Sequence, residues 1–171
     1  MGAHRLYIVK ATNATVINAT NTPLLTIATP AGAAGVGPIE IVRIKVGQRG
    51  TSTAQQLDIA WGLRVAGNGV VTGTAATPAK QNSSDPVSKI VGGTNGLTAG
   101  NATTVITTDT LGTGTLSSLD GDQFNNINGF LWVPLPEERF VLQPGEIYEL
   151  YLPAAPTTLT GWGYSVSFQE V

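Results

Sequence analysis

The fold is decided by residues 128–152, which read NGFLWVPLPEERFVLQPGEIYELYL. A first apolar run ends at Pro134, because proline cannot donate a hydrogen bond to a sheet ladder. A second run begins at Phe140 and leads into the tetrapeptide QPGE, residues 143–146. Here proline presets φ at the first central position of a turn and glycine supplies a positive φ at the second. A third run follows at residues 147–152. The segment predicts three strands joined by turns, and therefore an all-β chain.

Other segments extend this pattern. Residues 57–65, LDIAWGLRV, alternate between large apolar and small or charged side chains without a miss, as in a strand with one buried face. Residues 39–46 are strongly β-branched, and their apolar positions change face near Ile41 and Val42. This change predicts a β-bulge or a strand that is buried on both faces. We expect these two strands to pair as a hairpin. Further strands are predicted at residues 5–10, 24–28 and 163–171.

About eight strands with Gly- and Pro-rich turns, and no convincing helix, predict a single-domain antiparallel β-sandwich of the jelly-roll type over residues 1–171. Residues 1–12 are expected to form an N-terminal strand or arm. Residues 67–122 are rich in Gly, Thr, Asn and Ser and have only scattered apolar anchors. Irregular loops of such length are uncommon inside compact domains. We therefore expect two or three short strands there, with long excursions that a neighbouring subunit orders.

Composition excludes several classes of function. Only 12% of the 171 residues are charged and the net charge is −2, whereas globular domains average about 25% charged residues. Such a chain has no electrostatic footprint for nucleic acid or for an anionic membrane. The chain contains no cysteine, so disulfides and thiolate metal sites are excluded. No apolar stretch is long enough for a signal peptide or a membrane span.

Catalytic chemistry finds little support in the sequence. The single histidine, His4, cannot by itself supply a metal-binding imidazole set or a Ser-His-Asp triad. Residues 120–122, DGD, begin like a calcium loop, but Phe124 occupies the position of the next oxygen ligand. Glu137 and Glu138 are adjacent, and adjacent strand residues face opposite ways, so they are poorly placed to act as a catalytic pair. We predict no enzyme, no catalytic residue, no metal site and no cofactor.

Two strands carry large apolar side chains on both faces. In residues 129–133, Phe130 and Trp132 share one face, while Leu131 and Val133 share the other. In residues 147–152, Tyr148, Leu150 and Leu152 share one face, while Ile147 and Tyr151 flank Glu149 on the other. Strands of this kind are normally covered on both faces, and a single sandwich covers only one. We therefore predict a subunit interface around a symmetry axis, where each buried Trp or Phe contributes about 1.5–3 kcal/mol. The predicted anchors of this interface are Phe130, Trp132, Ile147 and Tyr151.

A likeness to known proteins is carried by residues 39–44 (IEIVRI) with Gly47 and Gln48, 124–130 (FNNINGF), 132–139 (WVPLPEER), 143–146 (QPGE) and 152–156 (LPAAP). Together these segments resemble the capsid decoration proteins, or cement proteins, of tailed bacteriophages, a family of small β-sandwich proteins. The likeness does not extend over the N-terminal part of the chain or over residues 67–122.

The resemblance implies a virion protein that is made in the host cytoplasm and binds the outer surface of the capsid head. It further implies a homo-oligomer, a trimer, that contacts the major capsid protein and locks capsomers together, without nucleic acid or membrane partners. We expect the N-terminal arm to take part in capsid contact through Arg5, Leu6 and Tyr7.

A carbohydrate- or receptor-binding module of a phage fibre or spike is the alternative. Trp132, Trp162 and Tyr164 could form a platform on which a sugar ring stacks. The competing interpretation places Trp61 and at least one of these rings in the sandwich core. Exposure of the rings distinguishes the two interpretations, because a buried ring cannot stack on a sugar.

Overall fold

The computed structural model describes residues 5–18, 20–28, 37–50, 53–65, 76–90, 115–144 and 146–171. Within these residues the chain forms ten β-strands and one short 3₁₀ helix, with no α-helix. The same residues contain no helix that is long and apolar enough to cross a membrane. The elements are β1 (Arg5–Ala14), β2 (Thr22–Ala28), β3 (Ile39–Gln48), β4 (Gln56–Val65), β5 (Ala79–Lys80), β6 (Thr115–Asn125), β7 (Phe130–Trp132), the 3₁₀ helix (Pro136–Glu138), β8 (Phe140–Leu142), β9 (Ile147–Leu152) and β10 (Trp162–Glu170).

The chain folds as one long hairpin whose two halves pair strand by strand. β4 pairs with β6, β3 with both β7 and β8, β2 with β9, and β1 with β10, all antiparallel. The hairpin is rolled into two sheets. Sheet A has the order β5-β1-β10-β3-β7 with β8 also on β3, and sheet B has the order β2-β9-β4-β6. This is the topology of a jelly roll, and it confirms the predicted all-β sandwich.

The core lies between the two sheets and follows the predicted alternation. Tyr164, Val166 and Phe168 point inward from β10 and are buried, and their polar neighbours alternate with them. Trp61 points inward from β4 in the same way, at 3% exposure. The ring of Phe168 lies 5.7 Å from the ring of Tyr7 on β1, so strands at opposite ends of the sequence share one core.

The bulge predicted in β3 is present. The register between β3 and β10 shifts between Ile41 and Arg43, which leaves Val42 as the extra residue. Because of the shift, Ile41 and Ile44 both point into the core and are fully buried, although a regular strand would turn them to opposite faces.

The predicted hairpin between β3 and β4 is wrong. β3 lies in sheet A between β10 and the pair β7 and β8, whereas β4 lies in sheet B between β9 and β6. The connection between β3 and β4 therefore crosses from one sheet to the other. Alternation identified both strands, but it carries no information about which strands pair.

The long excursion is only partly described. β5 is one short strand within it, and the beginning of β6 occupies its last residues. The remaining predictions for this segment fall on residues 66–75 and 91–114, which lie outside the described residues.

Candidate interaction surface

Five large apolar side chains lie exposed at one edge of sheet A. We call them the apolar strip; they follow the turn before β7, then β7, the loop after it, and β8. Pro134 and Pro136 flank Leu135 in this loop, and they keep the edge from extending into a regular ladder. Gathered apolar exposure of this kind marks an interaction site more often than isolated exposed residues do. The members are Ile127 (50% exposed), Leu131 (61%), Val133 (62%), Leu135 (58%) and Val141 (38%).

A groove of about 480 Å³ runs beside the apolar strip on the outer face of sheet A. Gly47 and Gly163 form its floor and stand directly opposite each other in the β3–β10 register. A Cβ built on Gly47 would have no atom of the described residues within 4 Å, so none of these residues covers the sheet at this point. Ile8 forms one wall, and Ile127 and Leu131 form the other. The groove is therefore continuous with the apolar strip.

Two lysines face each other across this groove. Lys10 on β1 and Lys45 on β3 both pair with Ser165 on β10, so they flank the same central residue. Two strand spacings, about 10 Å in all, separate their backbones, and two lysine side chains can converge over that distance. Both lysines are exposed, and none of the described residues that line the groove is acidic. The groove therefore combines apolar walls with two positive charges.

An amide clamp holds the wall of the groove in place. The side chain of Asn126 is 2% exposed and accepts a hydrogen bond from the backbone N–H of Gln55 at 2.8 Å. Its Nδ2 donates to Oε1 of Gln48 at 2.9 Å. Gln48 in turn donates to two carbonyl oxygens in the loop before β10, at 3.2 and 3.1 Å. The clamp thus fixes the turn that presents Ile127. Its only signal in the sequence is an asparagine in a turn.

The side chains expected to anchor an interface point the other way on β7. Phe130 and Trp132 are half-buried and face inward, with ring centroids 6.1 and 5.0 Å from that of Trp61 on β4. The outward residues of this segment are Leu131 and Val133. The inward orientation follows from the aromatic cluster that closes this end of the sandwich. The interface itself stays a prediction, with different side chains outermost.

The other two predicted anchors lie on β9, in the interior of sheet B. Tyr151 is 4% exposed and pairs with Ala60 on β4 and with Pro23 on β2, so its own chain covers it. Ile147 is half-buried at the beginning of the strand. β9 is buried on both faces, as predicted from its sequence. The residues that bury it belong to the same chain, whereas we expected a neighbouring subunit to cover one face.

The residues expected to contact a capsid belong to the sheet, not to an arm. Tyr7 is fully buried, and its hydroxyl donates a hydrogen bond to the carbonyl oxygen of Pro86 at 3.1 Å. Arg5 and Leu6 are half-buried and pair with the end of β10. From Arg5 onward the N-terminal segment is a strand of sheet A, and a contact made by the Tyr7 ring is excluded because the ring has no exposed surface.

The proposed sugar platform is absent from the described surface. Trp162 is fully buried, and its indole N–H donates to the carbonyl oxygen of Thr158 at 2.9 Å. Tyr164 is 4% exposed, and Trp132 packs on Trp61. These rings form the core, because each points to the inner face of sheet A. Within the described residues, no group of three or more His, Asp or Glu side chains could hold a metal ion.

No protein-family model, curated protein or solved structure matches this chain. The likeness to phage decoration proteins therefore depends on the short segments in which it was found. A function has to be argued from the apolar strip and the groove.

Proposed function

We propose that this chain is a bacteriophage capsid decoration protein. It forms a homo-oligomer, a trimer, that binds the major capsid protein on the outer surface of the head and stabilises the junctions between capsomers. The observation that carries the proposal is the apolar strip, which presents five large apolar side chains on a protein with few charges. A role in adhesion uses such a surface directly and requires no reaction.

The energetics favour apolar contact over ion pairs. Burial of one Val or Leu side chain contributes about 1.5–3 kcal/mol, whereas an exposed ion pair contributes less than about 1 kcal/mol. Association costs an estimated 4–15 kcal/mol in lost translational and rotational freedom, so one small contact alone gives only weak binding. A symmetric oligomer on a repeating surface makes several such contacts at once, and each later contact is effectively intramolecular. The strip therefore suits a partner that repeats, as a capsid does.

Retention on capsids tests the proposal. The wild-type protein should co-sediment with heads of the source phage that have been stripped of surface proteins. Val133→Glu places a charge in the apolar strip and should weaken retention about tenfold or more, because the carboxylate must be desolvated when the strip is covered.

Leu119→Glu is the matched control. Leu119 is 44% exposed and lies on β6 of sheet B, away from the strip. This variant should be retained like the wild type. A wild-type protein that does not bind the heads would contradict the proposed function, and equal retention of Val133→Glu would remove the strip from it.

A further inference from the structure

We propose that the groove on sheet A receives residues 135–138 of a second copy, so that copies of this chain join head to tail. We call this segment, Leu-Pro-Glu-Glu, the acidic tip. The inference deepens the proposed function, since it rests on the proposed homo-oligomer and names the contact that builds it. The tip supplies both an apolar side chain and carboxylates, which match the apolar walls and the two positive charges of the groove.

The groove selects its occupant by charge and by apolarity together. Lys10 and Lys45 are exposed on either side of Ser165, and the described part of the chain places no acidic residue in the groove lining to neutralise them. The walls next to the lysines are apolar, with Ile8 on one side and Leu131 on the other. A ligand that fits has an apolar group followed closely by one or two carboxylates.

The acidic tip has this composition and is exposed. Leu135 is 58% exposed, and Glu137 and Glu138 are exposed in the 3₁₀ helix that follows. Arg139, the nearest cation in the sequence, turns back onto Glu40 at 3.4 Å. The positive charge next to the tip is therefore engaged elsewhere, and the tip presents net negative charge.

The tip is also pre-formed. The backbone N–H of Glu138 donates to the carbonyl oxygen of Leu135 at 2.9 Å, and the Glu138 carboxylate accepts from the N–H of Leu135 at 3.4 Å. Pro134 and Pro136 on either side of Leu135 further restrict the backbone. A rigid segment loses little conformational entropy when it docks, which favours binding.

The occupant is a second copy because one copy leaves both surfaces open. The tip lies beyond β3 at the edge of sheet A, whereas the groove lies on the outer face of that sheet, and within one chain Leu135 stays exposed. Two different surfaces that meet between copies form a heterologous contact, which generates a closed ring when the rotation closes. A trimer of this kind would place Leu135, Leu131 and Ile127 of the apolar strip between copies, and it would leave Val133 and Val141 for the capsid.

A charge swap tests this contact. Sedimentation velocity and equilibrium on the full chain give the oligomer size and its dissociation constant. Lys45→Glu and Glu137→Lys should each raise the dissociation constant about tenfold or more, since each places like charges face to face. The double variant Lys45→Glu/Glu137→Lys should return to within about threefold of the wild type, because the pair is restored with its sign reversed.

Filling the groove gives a second, independent test. A Cβ on Gly163 would meet only the carbonyl oxygen of Ala11 at 3.8 Å, an ordinary contact, so Gly163→Val should fold normally. Its side chain would occupy the floor of the groove and should abolish assembly. The matched controls are Arg49→Glu and Asp58→Lys, two exposed charge reversals outside the groove and the tip, which should assemble like the wild type.

The outcomes separate this inference from the proposed function. Three results would each overturn the head-to-tail contact. They are a monomeric wild type, unchanged assembly of Lys45→Glu and Gly163→Val, and a double variant whose loss of association free energy equals the sum of the losses in its two single variants. Retention of the wild type on heads is measured separately from assembly. If the wild type fails to bind heads, restored assembly of the double variant still supports the head-to-tail contact. Growth into long filaments would also overturn the closed ring.

Discussion

At the scale of single residues, Tyr148 is unusual. Its ring is fully buried and stacks on Phe140 of β8 with centroids 5.9 Å apart, and its hydroxyl has no hydrogen-bond partner among the described residues. Burial raises the pKa of Tyr148 well above its usual value, and burial likewise raises the pKa of Tyr164. Both groups are therefore held in the neutral form while the chain is folded.

These shifts predict that the fold is lost in alkali. In the unfolded chain a tyrosine ionises near pH 10, so above that pH the unfolded state releases protons that the folded state retains. The free energy of unfolding should be insensitive to these groups below about pH 10. Above it, this free energy should fall by up to about 1.4 kcal/mol per pH unit for each tyrosine. Urea unfolding between pH 8 and 11.5 measures the slope.

Tyr148→Phe should remove about one third of that slope, since it keeps the ring and deletes one of three ionisable groups; burial also raises the pKa of Tyr7. At neutral pH the same variant should be at least as stable as the wild type, because no described partner loses a hydrogen bond. Tyr7→Phe provides the contrast, since it deletes the bond to Pro86 and should cost about 1 kcal/mol. An unchanged alkaline slope in Tyr148→Phe would contradict the assignment.

At the scale of elements, the amide clamp connects three loops to the groove. Asn126→Ala would leave the backbone N–H of Gln55 and Oε1 of Gln48 without this partner, and an unsatisfied buried group costs about 1–3 kcal/mol. We expect a loss of about 3 kcal/mol in the free energy of unfolding by urea denaturation. Asn128→Ala, at an exposed position in the same turn, should cost less than about 1 kcal/mol. Equal losses in the two variants would show that the clamp is not the cause.

The alternation of apolar and polar residues predicted the strands well, but it did not predict correctly which strands pair. It identified the inward faces of β4 and β10 and the bulge in β3, since these follow from local side-chain order. The pattern of β7 did not show which of its faces is inward, because both faces carry large apolar side chains. Phe130 and Trp132 face inward because they pack on Trp61, which is distant in the sequence. The groove was also missed, because its floor depends on the register that sets Gly47 opposite Gly163.

At the scale of the whole molecule, the N-terminal strand is a structural requirement. Deletion of residues 1–10 would take Tyr7 and Val9, which are 0% and 1% exposed, out of the core and leave half of the β10 ladder unpaired. Loss of one large core side chain typically costs 2–5 kcal/mol, against a total stability of about 5–15 kcal/mol. We expect this variant to lose its cooperative thermal transition, as measured by circular dichroism.

Deletion of residues 1–4 alone is the matched control, because it removes what precedes β1 and should leave the transition in place. A folded, cooperative protein without residues 1–10 would contradict the role of β1 in sheet A. The sequence indicated a strand here, but its apolar faces did not reveal that the strand lies between β5 and β10.

The pairing of β1 with β10 has a consequence for synthesis. Arg5 is the partner of Glu170, 165 residues later in the chain. At translation rates of about 5–20 residues per second, roughly 8–30 s pass between the two. During that time the nascent β1 carries Tyr7 and Val9 without the strand that will cover its edge. Sheet A is therefore completed only after β10 has left the ribosome, and until then β1 depends on chaperones or on its low tendency to aggregate.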